Sequence, residues 1–532
     1  MMEYFVSEYD HFGYMDKFKI NSLLAKVLAY YQFDQDKIDQ LLNDNDLEAI
    51  RDNPAIDKVK KRMIKAHTTN ESVFVCGDYD ADGICSTAMM VGLLRELKIQ
   101  CGYYIPNRLT DGYGLSVALV DSVFKKGYKL IITVDNGVKA IDALAKAKSL
   151  GIDVIICDHH IIEQQYVFPY LIHPTLLPLA YENLCGAGVV LQLVKAFDIA
   201  DPKYQILAMA ATIGDMVEMF DANRLIVKQG LSLINKLGFL PIEALLNHEL
   251  VIDEDVIAFR FVPAINTLGR LADQANANVL VEYLLSNDTA TIYNTARDIL
   301  ALNDRRKKMV KHTDHQDEAI FETTNYNLYI SNDYHEGIIG LLANRLMLDK
   351  QKPTLVGTDN GDNYKFSGRS IQGFDIHHQL SKYQELFLTF GGHKQACGLS
   401  IKKENLDLFI KYLSQEEKII DEHVKYPTIK IELGDLSLDN VRSLQVLKPY
   451  GTGIKKPLFI LDSVDVNDHI LLKGKYPKAT LKIKDEILEI ISFNKAFMSD
   501  DGKRTKPIVG HLSLNAFKGK EKMNFMVEDV MY

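Results

Sequence analysis

The sequence lacks several features that would assign it to a common class of protein. Its 532 residues include no tryptophan and only six cysteines, and none of the cysteines forms a CxxC pair. Cysteines so few and so widely spaced exclude a disulfide framework. No uninterrupted apolar run is long enough to span a bilayer, and the N-terminus has acids where a signal peptide needs basic and then apolar residues. We therefore expect a reduced, soluble, cytoplasmic protein.

A net positive charge is also absent. The chain carries 61 basic and 71 acidic residues, a net charge of −10. This balance argues against a protein that holds nucleic acid by bulk positive charge, although a basic surface on one part of the chain stays compatible with it. Hydrophobic content of 47% and charged content of 25% are those of a globular protein. The length predicts three to four domains.

The residue pattern divides the chain into five segments. Residues 1–70 have helical periodicity and predict an N-terminal helical segment. Over 71–272, short β-branched runs alternate with helical patterns, which predicts a doubly wound α/β domain with a parallel sheet. A charged stretch predicts a linker helix within 273–325, followed by a second, smaller α/β domain over 326–420. Short strands separated by turns over 425–532 predict a small β-barrel.

Carboxylates follow three predicted strands of the first domain. The strands SVFVC, KLIITV and DVIIC run directly into DYDADG (78–83), DNG (135–137) and DHH (158–160), and a later apolar helix ends at Asp215. Because the carboxyl ends of parallel strands line one crevice, these groups should converge. Carboxylates gathered in one crevice repel each other unless cations bind them. Carboxylates with imidazoles suit Mn²⁺ or Mg²⁺ better than zinc, so we predict a site for these ions.

Two other interpretations of the acidic motifs are weaker. DxDxDG matches the first half of a calcium loop, but Met89 occupies the position that requires a bidentate glutamate, and a strand precedes the motif. The acids would also serve as N-caps of strand-to-helix turns, but three such motifs at three strand ends favour a shared site. Two divalent ions bridged by a carboxylate are a standard device for phosphoester hydrolysis. The residues therefore predict the reaction class without the substrate.

The order of these motifs resembles the DHH phosphoesterase superfamily and, within it, the RecJ-type single-stranded-DNA exonucleases. The resemblance extends over nearly the full length of the chain. It implies a DHH catalytic domain, a linker helix, a DHH-associated substrate-binding domain and an OB-like nucleic-acid-binding barrel. The stretches that support it include YIPNRLTDGYGLS (104–116), LCGAGVV (184–190), PAINTLGRL (263–271), YHEGIIGLLANRL (334–346), FSGRSIQGFD (366–375), FGGHKQACGLSI (390–401) and LKPYGTGIKKPLF (447–459).

The resemblance implies roles for residues of the first domain. Asp135 is the implied bridge between two ions, and Asp78 either ligates or orients its neighbours. His160 would lie beside the scissile phosphate as a charge stabiliser or a general acid, or would only support the neighbouring ligands. The implied metal ligands are Asp80, Asp82, Asp135, His159 and Asp215.

Phosphate-binding residues are implied in both α/β domains. Arginine forks match phosphate geometry, and small residues let backbone amides approach an anion. Without the resemblance, the glycines are ordinary turn residues and a single arginine is a surface ion pair. The implied substrate-binding residues are Arg108, Asn266, Arg270, His335, Ser367, Arg369, Ser370, Gly392 and His393.

Positive charge is concentrated in the predicted barrel. Residues 470–525 carry twelve basic and six acidic side chains. Such a run alone is usually a solvated face, but OB-like folds follow a single strand with positive charge and stacking aromatics. The basic residues 305–308 either line the same channel or solvate the linker helix. The implied strand path comprises Lys475, Tyr476, Lys478, Phe493 and Phe517.

Four positions depart from the family pattern, and none of them is a predicted metal carboxylate. Cys76 stands where some members have a metal-binding histidine, and Ala264 where a basic residue is common. Tyr334 replaces a tryptophan, and Ile454 replaces a polar residue of the barrel.

The implied activity is Mn²⁺- or Mg²⁺-dependent removal of mononucleotides from the 5′ end of single-stranded DNA, by a water that two metals activate. The implied context is DNA repair and recombination by a monomer, with a single-strand-binding protein and a RecQ-like helicase as partners. One alternative is a DHH-family phosphodiesterase for short oligonucleotides or cyclic dinucleotides, and a less favoured one is a pyrophosphatase; neither needs the barrel. Another alternative is an inactive scaffold, which would have lost carboxylates that are all present here.

Overall fold

The computed structural model describes residues 3–6, 9–43, 50, 52–163, 166–247, 249, 251–311, 321–418, 425–493, 496–499, 502–517 and 520–531, apart from the side chains of 3, 425, 516 and 517. The chain folds into two compact units. The smaller unit comprises Met1–Leu47, Glu218–Asp221 and His423–Tyr532, and the larger comprises Glu48–Val217 and Ala222–Glu422. None of the helices in the described ranges is both long and apolar enough for a membrane span.

The helices are labelled in chain order. They are α1 (His11–Phe18), α2 (Ser22–Tyr31), α3 (Gln35–Leu42), α4 (Pro54–Thr68), α5 (Ala81–Glu96), α6 (Val117–Lys125), α7 (Ile141–Ser149), α8 (Gly186–Ala196), α9 (Pro202–Gly214), α10 (Asp221–Leu237), α11 (Leu240–Leu245), α12 (Glu254–Val256), α13 (Val262–Arg270), α14 (Val279–Leu285), α15 (Thr289–Lys311), α16 (Ile339–Lys350), α17 (Ile376–Ser381), α18 (Leu406–Gln415) and α19 (Leu438–Ser443).

The strands are labelled in the same way. They are β1 (Glu3–Val6), β2 (Val73–Cys76), β3 (Cys101–Tyr104), β4 (Leu130–Val134), β5 (Asp153–Cys157), β6 (Tyr170–Ile172), β7 (Phe321–Glu322), β8 (Asn327–Ile330), β9 (Thr354–Asn360), β10 (Asn363–Arg369), β11 (Phe387–His393), β12 (Ala396–Lys402), β13 (Lys425–Ile431), β14 (Phe459–Leu461), β15 (Asp468–Leu472), β16 (Tyr476–Ile483), β17 (Glu486–Ser492), β18 (Ile508–Phe517) and β19 (Lys520–Val530).

A five-stranded parallel sheet opens the larger unit, in the order β3-β2-β4-β5-β6. Every residue of β2 and β4 is buried, as interior strands of a sheet covered on both faces require. α5 is buried from Ala81 to Leu94 and packs against α8, α9 and α14. The predicted doubly wound α/β architecture is confirmed. The three predicted strands are β2, β4 and β5, and their carboxyl ends lead into the three acidic motifs.

The larger unit also holds a six-stranded sheet, in the order β11-β12-β10-β9-β8-β7. β8 and β9 are parallel and the other pairs are antiparallel. α16 packs on β9 and β10. Between the two sheets, the predicted linker helix is two helices, α14 and the longer α15. The packing of α13 on α15 places the linker against the end of the first α/β domain.

The smaller unit is built on an eight-stranded sheet, in the order β1-β13-β14-β18-β19-β17-β16-β15. Within the described residues this hydrogen-bonded order ends at β1 and at β15 without closing into a ring. Leu24 and Leu28 of α2 share its core with Phe459 and Phe525. Ile454, the apolar replacement of a polar family residue, is fully buried in the same core.

The structure divides the segment 1–70 that the sequence predicts as one helical piece. β1 pairs in parallel with β13, and α2 packs in the core of the eight-stranded sheet. α4 instead packs on β6 and α8 in the larger unit. Pairing across more than 400 residues leaves no trace in local periodicity, so the sequence pattern could not reveal this division.

Candidate active site

The loop after β2 brings three carboxylates to the start of α5. Asp80 is the N-cap of α5, and its carboxylate accepts the backbone N–H groups of Asp82 and Gly83 at 3.0 and 3.1 Å. The Asp82 carboxylate accepts the N–H groups of Gly186 and Ala187, the first residues of α8, at 2.6 and 2.7 Å. Two helix N-termini therefore point at this loop, where their dipoles favour negative charge. The N-cap role holds for Asp80 without excluding the shared site.

The DNG motif after β4 holds Asp135 in a left-handed conformation, with φ of +60°. Asn136 fixes the turn: its amide donates to the carbonyls of Cys76 and Val134, and its Oδ1 accepts the N–H of Leu115. A Cβ on Gly137 would lie 2.4 Å from a hydroxyl oxygen, so this position requires glycine. A strained residue held by buried hydrogen bonds is typical of functional sites.

The DHH motif after β5 is organised by its aspartate, which is not among the site residues predicted from the sequence. Asp158 is buried, and its carboxylate accepts the N–H groups of His159 and His160, the N–H of Val138 and Nδ1–H of His160 at 2.8 Å. Burial alone would raise the pKa of Asp158, but the hydrogen bonds and charge of His160 lower it to about 2. An ionised Asp158 fixes the proton of His160 on Nδ1.

The three motifs converge around His159. Its Nε2 lies 3.1 Å from Asp135, 3.7 Å from Asp215 and 3.8 Å from Asp82. These side chains form three groups, and within each group the ligand atoms lie within 4.8 Å of one another. All six predicted metal residues belong to these groups. The first group is Asp135, His159 and His160, the second is Asp82, His159 and Asp215, and the third is Asp78, Asp80 and Asp135. The groups share Asp135 and His159, so neighbouring ions would share ligands.

Mutual repulsion makes this cluster costly without cations. Burial raises the pKa of Asp135, and four neighbouring carboxylates raise it further. The same two causes raise the pKa of Asp78 and of Asp80, and they raise the pKa of Asp215 to about 8. Burial lowers the pKa of His159, which favours the neutral imidazole that ligates metals.

The donor set fits divalent cations. Oδ1 of Asp78 is buried and has no hydrogen-bond partner within the described part of the chain. An unpaired buried carboxylate oxygen is costly, and a cation would compensate it. Carboxylate oxygens and imidazole nitrogens, without thiolates, suit Mn²⁺ or Mg²⁺. The residues present therefore fit the two predicted ions.

A basic wall adjoins the acidic cluster. Arg270 ends α13 and is partly buried. Burial and the charges of Arg108, Arg306 and Arg369 lower its pKa to about 10. Arg108 lies over the Tyr79 ring at 5.1 Å, and its charge acts on Asp78. Across the described ranges, none of these guanidinium groups lies within ion-pair distance of a carboxylate. Arginines without carboxylate partners form a site for an anion.

Glycines bring the second α/β domain close to these arginines. A Cβ on Gly337 would lie 1.6 Å from the carbonyl oxygen of Arg270, and one on Gly340 would lie 3.0 Å from a guanidinium nitrogen of Arg369. The turn just before α16 therefore lies against the main chain of Arg270, and the first turn of α16 lies against Arg369. Arg369 donates to Oγ of Ser367 at 3.0 Å and to the carbonyl of Gly368 at 2.7 Å, which holds it at the end of β10.

His335 is hydrogen-bonded through both ring nitrogens, so neither nitrogen is left free to bind substrate. Nδ1 accepts the N–H of Gly337 at 3.0 Å, and Nε2 donates to Asp273 at 2.9 Å. Both ring nitrogens are therefore used to hold the start of α16 against the segment after α13. This geometry favours a positioning role over direct substrate contact.

The other predicted substrate residues differ in their freedom to bind. Asn266 precedes Arg270 by one helical turn, and its buried Oδ1 has no partner among the residues that the structure describes. Ser370 is buried and donates to the carbonyl of Phe374, so its hydroxyl serves the local turn. Gly392, with φ of +146°, and His393 lie at the exposed end of β11.

The predicted strand path lies in the smaller unit and is only partly exposed. Lys475 lies over the Tyr476 ring at 5.2 Å, and that ring packs edge-on against Phe493, which is 55% exposed. Lys478 binds the buried carboxylate of Glu489 at 2.8 Å, which reduces its availability to a phosphate. The side chain of Phe517 lies outside the described residues.

Tyr113 is a further site residue that is not among those predicted from the sequence, although it lies in the GYG part of the stretch 104–116. Its hydroxyl donates to the carbonyl of Asp135 at 2.9 Å and lies 3.1 Å from Nε2 of His160. The departures from the family pattern lie inside the core: Cys76 and Ala264 are fully buried, and Tyr334 is 5% exposed. None of these three residues belongs to the groups of possible metal ligands.

Comparisons with known proteins match both units. Three family profiles match the chain: the DHH family N-terminal domain at 72–214, the DHHA1 domain at 324–418 and the RecJ OB domain at 428–529. The single-stranded-DNA-specific exonuclease RecJ of Bacillus subtilis is 29% identical, over 97% of this chain and 68% of the relative. The crystal structure of RecJ from Thermus thermophilus in complex with Mn²⁺ has a TM-score of 0.82 at 22% identity, covering 100% of this chain and 80% of that chain, and shows the same fold.

RecJ of Salmonella typhimurium is 30% identical over 89% of this chain and 90% of the relative. Identity at this level over nearly the whole length of both chains, together with the three matching profiles, decides the assignment. The chain belongs to the RecJ family of the DHH phosphoesterases.

Proposed function

We infer that the protein is a metal-dependent exonuclease that degrades single-stranded DNA to mononucleotides from the 5′ end. The observation that carries this inference is the proximity of two oppositely charged clusters. Five carboxylates and His159 can hold divalent cations, and arginines without carboxylate partners lie beside them. A phosphodiester is the substrate whose charge and geometry fit between the two.

When bound, two divalent cations would supply an activated water and charge stabilisation for displacement at phosphorus. The residues of the chain position that reaction. Asp158 orients the ring of His160 through Nδ1, which leaves Nε2 to hold or transfer a proton beside the scissile phosphate. Tyr113 fixes the distance between this nitrogen and the main chain of Asp135.

The arginines would hold the strand in register for this chemistry. Planar guanidinium groups bind phosphate oxygens in pairs, and a rigid clamp lowers the entropic cost of alignment. Arg369 and the start of α16 belong to the second α/β domain and lie beside Arg270. We propose that they receive the 5′ end of the strand. In the smaller unit, the partly buried Tyr476 and the exposed Phe493 would stack bases of the strand.

We place this activity in the cytoplasm, on single strands exposed in DNA repair and recombination. A single-strand-binding protein and a RecQ-like helicase are the proposed partners of a monomeric enzyme. Pull-down with the intact chain and sedimentation of the purified protein test these assignments, which rest on family membership.

The test of the activity is release of mononucleotides from 5′-labelled single strands in Mn²⁺. We expect 3′-blocked strands to be degraded and 5′-blocked strands to resist, and the reverse pattern would refute the polarity. Asp135→Ala should abolish release, because Asp135 belongs to two of the ligand groups. Asp142→Ala is the matched control, since this acid lies exposed on α7 of the same domain. Equal loss in both variants would contradict the proposed site.

A further inference from the structure

The four consecutive basic residues of α15 do not share one environment. Arg305, Lys307 and Lys308 are exposed, and Lys307 pairs with Asp304 on the same helix at 3.4 Å. Arg306 is partly buried. A run that looks uniform in sequence therefore consists of three solvated residues and one residue directed into the larger unit.

A buried asparagine fixes the guanidinium of Arg306. Oδ1 of Asn303 accepts Nε–H and Nη2–H of Arg306 at 3.1 and 2.9 Å, and the hydroxyl of Thr267 at 3.1 Å. Asn303 is 3% exposed. Thr267 lies on α13, one turn before Arg270, so this network ties the position of Arg306 to that of Arg270.

Arg306 acts electrostatically on the arginine cluster of the site. Its charge, with those of Arg108 and Arg369, adds to burial in lowering the pKa of Arg270. Four like charges are therefore close to one another, and across the described ranges none has a carboxylate within ion-pair distance. Such repulsion is tolerated where an anionic ligand compensates it. Asp80 acts on Arg270 and Asp78 on Arg108, whereas burial lowers the pKa of Arg306. A single phosphodiester carries one negative charge, so a phosphate on Arg270 would leave the charge of Arg306 without compensation.

We propose that Arg306 binds a second phosphate group of the single strand, next to the phosphate held by Arg270, and that Asn303 is its positioning residue. The proposal rests on the proposed function, since it assigns an additional contact with the same substrate. It predicts that residues of the larger unit hold the strand at two phosphates.

The salt dependence of binding tests this contact. Each phosphate contact with a single strand contributes about 0.7 to the slope of log K against log salt concentration. The intact protein is titrated with a fluorescein-labelled oligothymidylate in EDTA, which prevents hydrolysis, over a series of NaCl concentrations. Arg306→Gln keeps hydrogen-bond donors for Asn303 and removes the charge, and Arg306→Ala removes both. Arg305→Ala is the matched control, one position away on the exposed side of α15.

We expect both Arg306 variants to lower the slope by about 0.7 and to weaken binding about tenfold, the effect of one charge-assisted bond. Arg305→Ala should keep the wild-type slope. Asn303→Ala should reduce the slope without any change of charge, a result that simple loss of charge would not give. Equal slopes for the Arg305 and Arg306 variants would overturn the proposal, and so would weaker binding at an unchanged slope. If the wild-type protein itself neither binds nor degrades single strands, the proposed function fails instead.

Discussion

The carboxylate cluster makes a prediction in which loss of activity and gain of stability coincide. Asp215 is largely buried next to other carboxylates, and its pKa is raised from 3.8 to about 8. Because this pKa is higher in the folded protein than in the unfolded chain, folding favours the protonated carboxyl. The associated stability is fully present below pH 3.8 and is lost as the pH rises through about 8. We therefore expect Asp215→Asn to stabilise the metal-free protein at pH 8.5.

The size of the effect follows from the same values. At about 1.4 kcal/mol for each pH unit, the interval from 3.8 to about 8 sets an upper limit of about 6 kcal/mol on the cost of ionising Asp215. Relaxation of the surrounding loops will reduce this cost, and we expect about 2 kcal/mol to remain. In a unit of this size, about 2 kcal/mol raises the melting temperature by several degrees. At pH 6 the gain should be smaller, because folded wild-type Asp215 is then mostly protonated.

Differential scanning fluorimetry in EDTA measures the cost of ionising Asp215, and the same assay in Mn²⁺ measures the stabilisation by metal binding. Mn²⁺ should raise the melting temperature of the wild-type protein. At an ion concentration a hundred times the dissociation constant, binding adds about 2.7 kcal/mol to the free energy of unfolding. Asp215→Asn should lose most of this response and all Mn²⁺-dependent hydrolysis.

Asp158→Asn is the contrasting variant. The pKa of Asp158 is lowered to about 2, so this residue stabilises the fold above pH 3.8. Its loss should destabilise the protein with or without metal. If Asp215→Asn were no more stable than the wild type in EDTA at pH 8.5, the repulsion argument would be refuted.

Three further variants test other parts of the site. His160→Gln should lower kcat by about 10²–10⁴, as for loss of a general acid, while the Mn²⁺-induced melting shift persists in fluorimetry. Gly337→Ala should raise KM for single strands, because its Cβ would lie 1.6 Å from the carbonyl oxygen of Arg270 and push α16 away; steady-state kinetics with unchanged kcat at saturation would agree with this. Asn136→Ala leaves two carbonyls and one N–H without partners and should cost about 1–3 kcal/mol, measured by urea unfolding.

Convergence of the acids could be predicted because one rule of topology decides it. β2, β4 and β5 are adjacent parallel strands, so their carboxyl ends must lie at one edge of the sheet. No side-chain detail is needed to bring Asp82, Asp135 and His159 together. The role of Asp158 needed that detail. It is one more acid in an acidic motif, and only the direction of the backbone N–H groups and of Nδ1 of His160 shows that it orients rather than ligates.

Other features depend on contacts that residue patterns do not encode. Arg305 and Arg306 are equivalent in sequence, and the turn of α15 decides which of them meets Asn303. His335 looks free for substrate until Gly337 and Asp273 are seen to occupy both of its nitrogens. These residues are separated from their partners by helix packing or by loops, so only the folded chain reveals the pairing.

The net charge of −10 hides two clusters of opposite sign, each unfavourable on its own. The carboxylates around His159 raise one another's pKa, and the charges around Arg270 lower its pKa. The unpaired Oδ1 of Asp78 and the left-handed turn at Asp135 lie in the same region. Natural sequences accept such local costs where function requires them. Cations would compensate the charge of the first cluster, and phosphates would compensate that of the second. The unfavourable interactions in the fold therefore indicate the same substrate chemistry as the sequence motifs do, on independent grounds.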